Sequence, residues 1–254
     1  VIADNSGDFD QQRVGEDFPL NTKIIQLDNP GYGAAVNTAA ASITRSSPFL
    51  LVLTHEVKVF PGAIRLLLEH AVRSKSAGIV GPVLVDNATG TTVYSAGGSY
   101  LRGGRPKHLT ALEVKSGAQP EYVDGAVMLI RRDVFDMVRG FDERFFLYYE
   151  DNDLCQRIKA TGHAISVATS SRFGQQPGNF TTYYQMRNQI IFSRQYSDFP
   201  GTILAALLKA AGAVRASLRS ASADPIVGAV RGAWDGVNGK TGPDTSVRGV
   251  GGDR

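Results

Sequence analysis

Along most of the chain, short continuous apolar runs alternate with stretches whose apolar positions recur at helical spacing. "KIIQL" (23–27) and "FLLVL" (49–53) are apolar runs of strand length, and "AAVNTAAASI" (34–43) between them has helical composition, so a βαβ unit is predicted. "PGAIRLLLEHAV" (61–72) predicts a helix with Pro61 in its first turn, and "AGIVGPVLV" (77–85) the next strand. Parallel strands need helical crossovers, so this order of elements predicts a doubly wound α/β sheet with ligands beyond the carboxyl ends of its strands.

Residues 86–120, rich in Gly and Thr, interrupt the alternation and read as a hairpin or surface excursion. A strand (126–130), a short helix (132–138) capped by Gly140, a helix over about 151–161 ending at Gly162 and the strand "AISVA" follow. Beyond residue 200 the pattern changes. In "TILAALLKAAGAVRASL" (202–218), Ile203, Leu204, Leu207, Leu208, Val214 and Leu218 share one helical arc with Lys209 away from it. Such an arc either packs on the preceding domain or lies on an anionic membrane. The chain therefore divides into a domain over 1–200 and a basic, amphipathic helical tail over 201–254, whose end is expected to be disordered.

At 254 residues and 43% apolar content, the chain can bury a substantial core. The lone cysteine, Cys155, rules out an internal disulfide and points to a reducing compartment, the cytosol. No apolar run reaches the roughly 18–20 residues of a membrane span. A net charge of +3 without a basic run interleaved with aromatics argues against nucleic acid. The tail holds seven Lys/Arg against four Asp/Glu, which is the whole surplus.

The chemistry concentrates in "FFLYYEDNDLCQRIKATGH" (145–163), where Glu150, Asp151 and Asp153 open a helix behind Phe145, Phe146, Tyr148 and Tyr149. One carboxylate suffices to cap a helix, and Asp153 with Arg157 forms an i, i+4 pair. Three together repel unless a proton or cation answers them, which points to function. The aromatics read first as core and wall, Arg131 and Arg132 as a solvated helix start.

"ADNSGD" (3–8), "NPGYGAAVNTA" (29–39), "LVLTHEVKVFPGAI" (51–64), "DGAVMLIRRDVFDMVRGFDERFFLYYEDNDLCQRI" (124–158) and "YYQMRNQIIF" (183–192), in that order, resemble the family 2 inverting glycosyltransferases, in particular their bacterial rhamnosyltransferase-like branch. The resemblance covers about residues 1–195. It implies a GT-A fold, a mixed, mostly parallel sheet with helices on both faces, and transfer of a sugar, rhamnose being the branch's commonest, from a nucleoside diphosphate to a glycan or lipid-linked hydroxyl. On the family's pattern Asp151 and Glu150 supply the catalytic base. Asp4, Asn29, Gly31 and Asn37 lie along the nucleotide, Asp124 lines the donor or acceptor pocket, and Arg187 contacts the diphosphate. Inverting transfer is a single displacement: a base takes the acceptor proton while cations hold the departing diphosphate. Mg²⁺ or Mn²⁺ suits that role because hard cations bind carboxylate and phosphate oxygens together. A lipid-linked acceptor would place the protein at the inner face of the plasma membrane, with contact through 201–219.

The sequence departs from the family in three places. Thr54-His55-Glu56 stands where relatives carry an acidic triplet, so Glu56 becomes the metal carboxylate and His55 its neighbour. No histidine occurs over 170–178, since His55, His70, His108 and His163 all precede it. The strand and helix with which relatives open are missing before Val1. Two rivals follow from the same residues: a GT-A-like module that binds nucleotide or glycan without turnover, and a sugar-phosphate nucleotidyltransferase.

Overall fold

The computed structural model describes residues 1–6, 9, 19, 21–44, 46–91, 93–176 and 181–244. A short parallel pair, β1 (Ile2–Asp4) and β2 (Ile24–Gln26), leads into α1 (Tyr32–Ala41). Then come β3 (Phe49–Leu53), β4 (Lys58–Val59), α2 (Ala63–Arg73) and the long strand β5 (Ala77–Asp86). The predicted excursion consists of β6 (Val93–Ser95), the hairpin β7 (Gly98–Leu101) and β8 (Arg105–His108), and the short α3 (Ala111–Lys115). The chain continues through β9 (Val127–Arg131), α4 (Arg132–Met137), α5 (Glu150–Ala160) and β10 (Ala164–Gln175). Three helices close it: α6 (Thr182–Tyr196), α7 (Phe199–Ser220) and α8 (Asp224–Val237).

The central sheet runs β3-β9-β5-β10-β4, with β6 beside β5. β5 and β10 pair in parallel, whereas β9 runs antiparallel to both β3 and β5, and β4 and β6 are antiparallel to their neighbours. The mixed α/β fold is therefore as expected, but within this sheet the pairing is mostly antiparallel. The reason is local: the chain reaches β9 from β5 through a β-rich excursion rather than a crossover helix, so it returns in the opposite direction.

The nine buried residues from Ala77 to Val85 explain why β5 reads as an unbroken apolar run, for both of its faces are covered. Ile79, Val83 and Val85 meet Ala40, Val134, Leu154 and Ile158 of α1, α4 and α5 on one side. Val80 and Leu84 meet Ala63, Leu67 and Ala71 of α2 on the other. Burial of a leucine such as Leu67 contributes about 1.5–3 kcal/mol.

The tail is folded onto α6. Met186 and Ile190 pack with Ala213 of α7 and Ala229 of α8. Glycine permits the α6–α8 crossing, since a Cβ at Gly232 would stand 2.4 Å from the Tyr183 carbonyl oxygen and one at Gly236 2.8 Å from that of Arg187. Helix thus extends well past 218, while residues 245–254 lie outside the described residues. Arg132, expected at the solvated start of α4, is instead buried, donating to Asp136 and to the Ala40 carbonyl.

Candidate functional site

The turn before α5 is wound unusually. Tyr148 and Tyr149 both adopt left-handed backbone, with φ of 67° and 72°, a conformation that costs a non-glycine residue energy and needs support from outside. Asn188 on α6 gives that support: its side-chain amide donates to the Leu147 carbonyl at 2.7 Å and the Tyr148 carbonyl at 2.9 Å. The buried rings of Phe145, Phe146 and Tyr149 wedge the turn from below, so the aromatic stripe is wall. This winding delivers Glu150 and Asp151 to the first turn of α5.

Asp151 is partly exposed and held on both oxygens. Oδ2 accepts from the Gly125 backbone N–H at 2.9 Å, and Oδ1 from the Asn152 backbone and side-chain amides, both at 2.7 Å. Asn152 is itself fixed by the Tyr100 hydroxyl, 2.9 Å away. Burial raises the Asp151 pKa, and these hydrogen bonds oppose the rise. Glu150 is buried, its Oε2 has no partner among the described residues, and burial followed by the Asp151 charge drives its pKa well above the usual carboxylate range. Asp153 has no exposure and accepts from Arg157 Nε at 2.7 Å and the Tyr196 hydroxyl at 2.8 Å, the structural role its spacing predicted.

Other groups converge on the same place. The partly buried Tyr32 hydroxyl donates to the Gly125 carbonyl at 2.5 Å, and its pKa is raised by burial, then by Glu150, Asp151 and Glu56, so all three acids bear on it. Asp124, one residue before Gly125, accepts from Ser95 Oγ and lies 3.7 Å from His108 Nδ1. Burial raises its pKa, while His108 works in the other direction. Glu56, on the turn after β3, is one-third exposed, with His55 Nδ1 3.2 Å away. Among the described residues no three His, Cys, Asp or Glu side chains come together as a metal cage. Glu56 alone still fits a cation that takes one protein carboxylate and completes its shell with phosphates and water.

The glycine-rich loop adjoins this centre. A Cβ at Gly31, φ 99°, would meet the Phe146 carbonyl oxygen at 2.5 Å, and the Tyr32 backbone N–H donates to that same oxygen, so only glycine lets the loop dock on the strained turn. Asn29 in this loop is also left-handed, at φ 46°. Asn5 reaches the Gly31 carbonyl at 3.4 Å and leaves its buried Oδ1 unpartnered among the described residues. Asp4 is buried and accepts from the Ser6 amide and hydroxyl, bracing the loop after β1; Gly7 and Asp8 of the same motif lie outside the described residues.

Two expected ligands are placed elsewhere. Asn37 spends its side-chain amide on the backbone of Phe141 and on Glu143, tying α1 to the turn after α4 rather than facing a nucleotide. Arg187 is fully buried between the Tyr183 and Tyr184 rings, donating to the Gly242 carbonyl at 2.6 Å and to Asn188, which makes it the seat of the C-terminal segment. Conversely, Asn152 and Asn188 lie inside the motif segments and His108 outside them, and no local pattern marks any of the three for a role.

A family profile described as the N-terminal domain of galactosyltransferase matches residues 109–186, the span from the excursion through α5 into α6. Over 189 residues the chain is 32% identical to the N-acetylglucosaminyl-diphospho-decaprenol L-rhamnosyltransferases of two Mycobacterium tuberculosis strains, CDC 1551 and H37Rv, matching 64% of this chain. It spans 61% of the length of those relatives. Among solved structures, GalNAc-T7 with UDP, GalNAc and Mn²⁺ superposes with a TM-score of 0.51 at 15% identity, covering 68% of this chain and 37% of that one. The mannosyltransferase PcManGT of Pyrobaculum calidifontis with GDP-Man and Mn²⁺ gives 0.50 at 9%, covering 85% and 69%. The fold is GT-A, and the sequence is rhamnosyltransferase-like. Within this GT-A chain, the matched profile contains Asp124, Glu150 and Asp151 together.

Proposed function

We propose that the chain transfers a sugar, rhamnose in the first instance, from a nucleoside diphosphate to a hydroxyl of a lipid-linked glycan with inversion at the anomeric carbon. The observation that carries this reading is Asp151: a partly exposed carboxylate fixed on both oxygens, beside a buried Glu150 whose Oε2 has no partner among the described residues, at the end of a wound turn. Asp151 would accept the proton of the acceptor hydroxyl as that oxygen forms its bond to the anomeric carbon and the bond to the diphosphate breaks. Burial raises the Glu150 pKa, and this side chain would shape the pocket while Asp151 serves as the base. The Gly31 loop, with Asp4 and Asn29 nearby, would flank the nucleotide, and Asp124 with His108 the sugar.

Glu56 would hold the divalent ion together with the donor phosphates, and a bound Mg²⁺ or Mn²⁺ neutralises charge on the leaving diphosphate. The solved GT-A structures named above contain Mn²⁺ with UDP or GDP-Man, which supports a divalent ion beside the donor phosphates. Glu56→Gln keeps the shape and removes the charge. Calorimetry of nucleoside diphosphate binding should therefore show the Mn²⁺-dependent gain in affinity shrink by about 10-fold or more, with metal-free affinity unchanged; an equal gain in both proteins removes Glu56 from the site.

The lipid-linked acceptor is supported by the relatives' decaprenol-linked substrate and by α7. Although no unbroken apolar run reaches the length of a span, because Lys209 and Arg215 interrupt it, this helix is long and apolar enough to cross a membrane by length and composition, yet it packs along α6 and α8, which suits lying at the cytoplasmic face. The test of the whole reading is a panel of nucleotide sugars offered with a prenyl-diphospho-sugar acceptor. Product of inverted anomeric configuration with release of nucleoside diphosphate is expected. Pyrophosphate release would indicate nucleotidyl transfer, and binding without product a module.

A further inference from the structure

Helix α7 is inside out for a surface helix. Ile203, Leu204, Leu207, Leu208, Val214 and Leu218 are exposed, while Ala205, Ala213 and Ser217 are buried. The cation Lys209 goes inward. Its Nζ donates to the Gln185 carbonyl at 3.2 Å and stands 5.7 Å from the centroid of the Tyr149 ring. Arg105, at the start of β8, is partly buried and close enough for its charge to act on both Lys209 and Tyr149. The turn before Arg105 is clamped there, for a Cβ at Gly103 would meet the Gly201 carbonyl oxygen at 2.1 Å and Ala205 at 2.7 Å.

Among the described residues neither cation has a carboxylate within ion-pair distance. Two neighbouring like charges, one of them drawn away from water, disfavour the fold unless an anion answers them. Their location defines which anion. Lys209 meets the ring of Tyr149, which directly precedes Glu150 and Asp151, and the opposite side of α7 is its exposed apolar face. A guanidinium on the hairpin clamped against α7 and an ammonium on α7 itself suit the adjacent phosphoryl groups of a diphosphate.

We propose that Arg105 and Lys209 bind the diphosphate of the lipid-linked acceptor, with its lipid directed along the outer face of α7 and its sugar toward Asp151. This rests on the lipid-linked acceptor proposed above, but its first test does not require transfer. Farnesyl diphosphate should bind the full-length protein in calorimetry without donor. Arg105→Gln and Lys209→Met should each weaken that binding by about 10-fold, Lys209→Arg should restore most of it, and uncharged farnesol should bind all four proteins alike. With a prenyl-diphospho-sugar acceptor the same two substitutions should raise the acceptor KM and leave the KM of the nucleotide sugar unchanged.

Equal farnesyl diphosphate affinity in all variants would overturn the proposal. So would losses confined to sedimentation with phosphatidylglycerol vesicles, since the cations would then serve lipid headgroups. If the wild type transferred no sugar, the function proposed above would fall, while the farnesyl diphosphate series would still decide this site.

Discussion

At the residue scale, the carboxylates of one helical turn have been given different environments. Asp151 exchanges water for three N–H donors and keeps some exposure, Glu150 is buried with its Oε2 unpartnered among the described residues, and Asp153 is paired with Arg157 and hydrogen-bonded by the Tyr196 hydroxyl. A base must be unprotonated, and burial holds the Asp151 pKa above its ordinary value, so activity is lost as pH falls through that raised value. The acid limb of kcat/KM should therefore lie above the usual carboxylate range near 4. A limb at or below that range would show that Asp151 does not report the reaction. The Asp153–Arg157 pair could be read from spacing, as could the concentration of acids at a helix start. Asn37 and Arg187 could not, because their partners, Phe141, Glu143 and Gly242, are distant in sequence and nothing local marks an amide or guanidinium as already engaged.

At the element scale, periodicity located α5 and β5 closely because each buries its apolar residues, and α2 because Ala63, Leu67 and Ala71 recur at helical spacing on one buried face, although Ile64, Leu68 and Val72 stay exposed. It located α7 too, yet the arc that would normally mark a buried face is the exposed one, for the small residues face inward, Ala213 against α6 and α8 and Ala205 against the Gly103 turn. Amphipathic pattern fixes that a helix has two faces, and only packing decides which is inside. Lys209 makes the inversion measurable. Burial, with Arg105 adding to it, lowers its pKa from 10.5 to about 8, so between those values the unfolded chain binds the proton and the folded chain does not. Stability conferred through this group therefore rises with pH across that interval. In urea denaturation, Lys209→Met should be the more stable protein below pH 8 and lose that advantage by pH 10.5. A constant difference over the range would mean that Lys209 is solvated.

At the scale of the molecule, the site exists where three sequence-distant units meet: the β5–β9 sheet bearing Asp124 and Gly125, the α5 start bearing Glu150 and Asp151, and the glycine loop before α1. The succession of α and β elements revealed a layered sheet with helices on both faces. It did not reveal the reversal of β9, which depends on an excursion whose Gly- and Thr-rich sequence has no helical period. Helices α6 and α7 complete the site from outside, since Asn188 of α6 supports the wound turn and Lys209 reaches Tyr149 from α7. Because the acidic turn is the point at which all these units converge, one substitution interrogates the arrangement: Asp151→Asn, assayed for sugar transfer with donor and acceptor saturating. If Asp151 is the base, turnover should fall by about 10²–10⁴-fold while donor affinity stays within a few-fold, and Glu150→Gln should cost far less. Near-normal turnover in Asp151→Asn, or an inactive Glu150→Gln beside an active Asp151→Asn, would contradict it and move the base to Glu150.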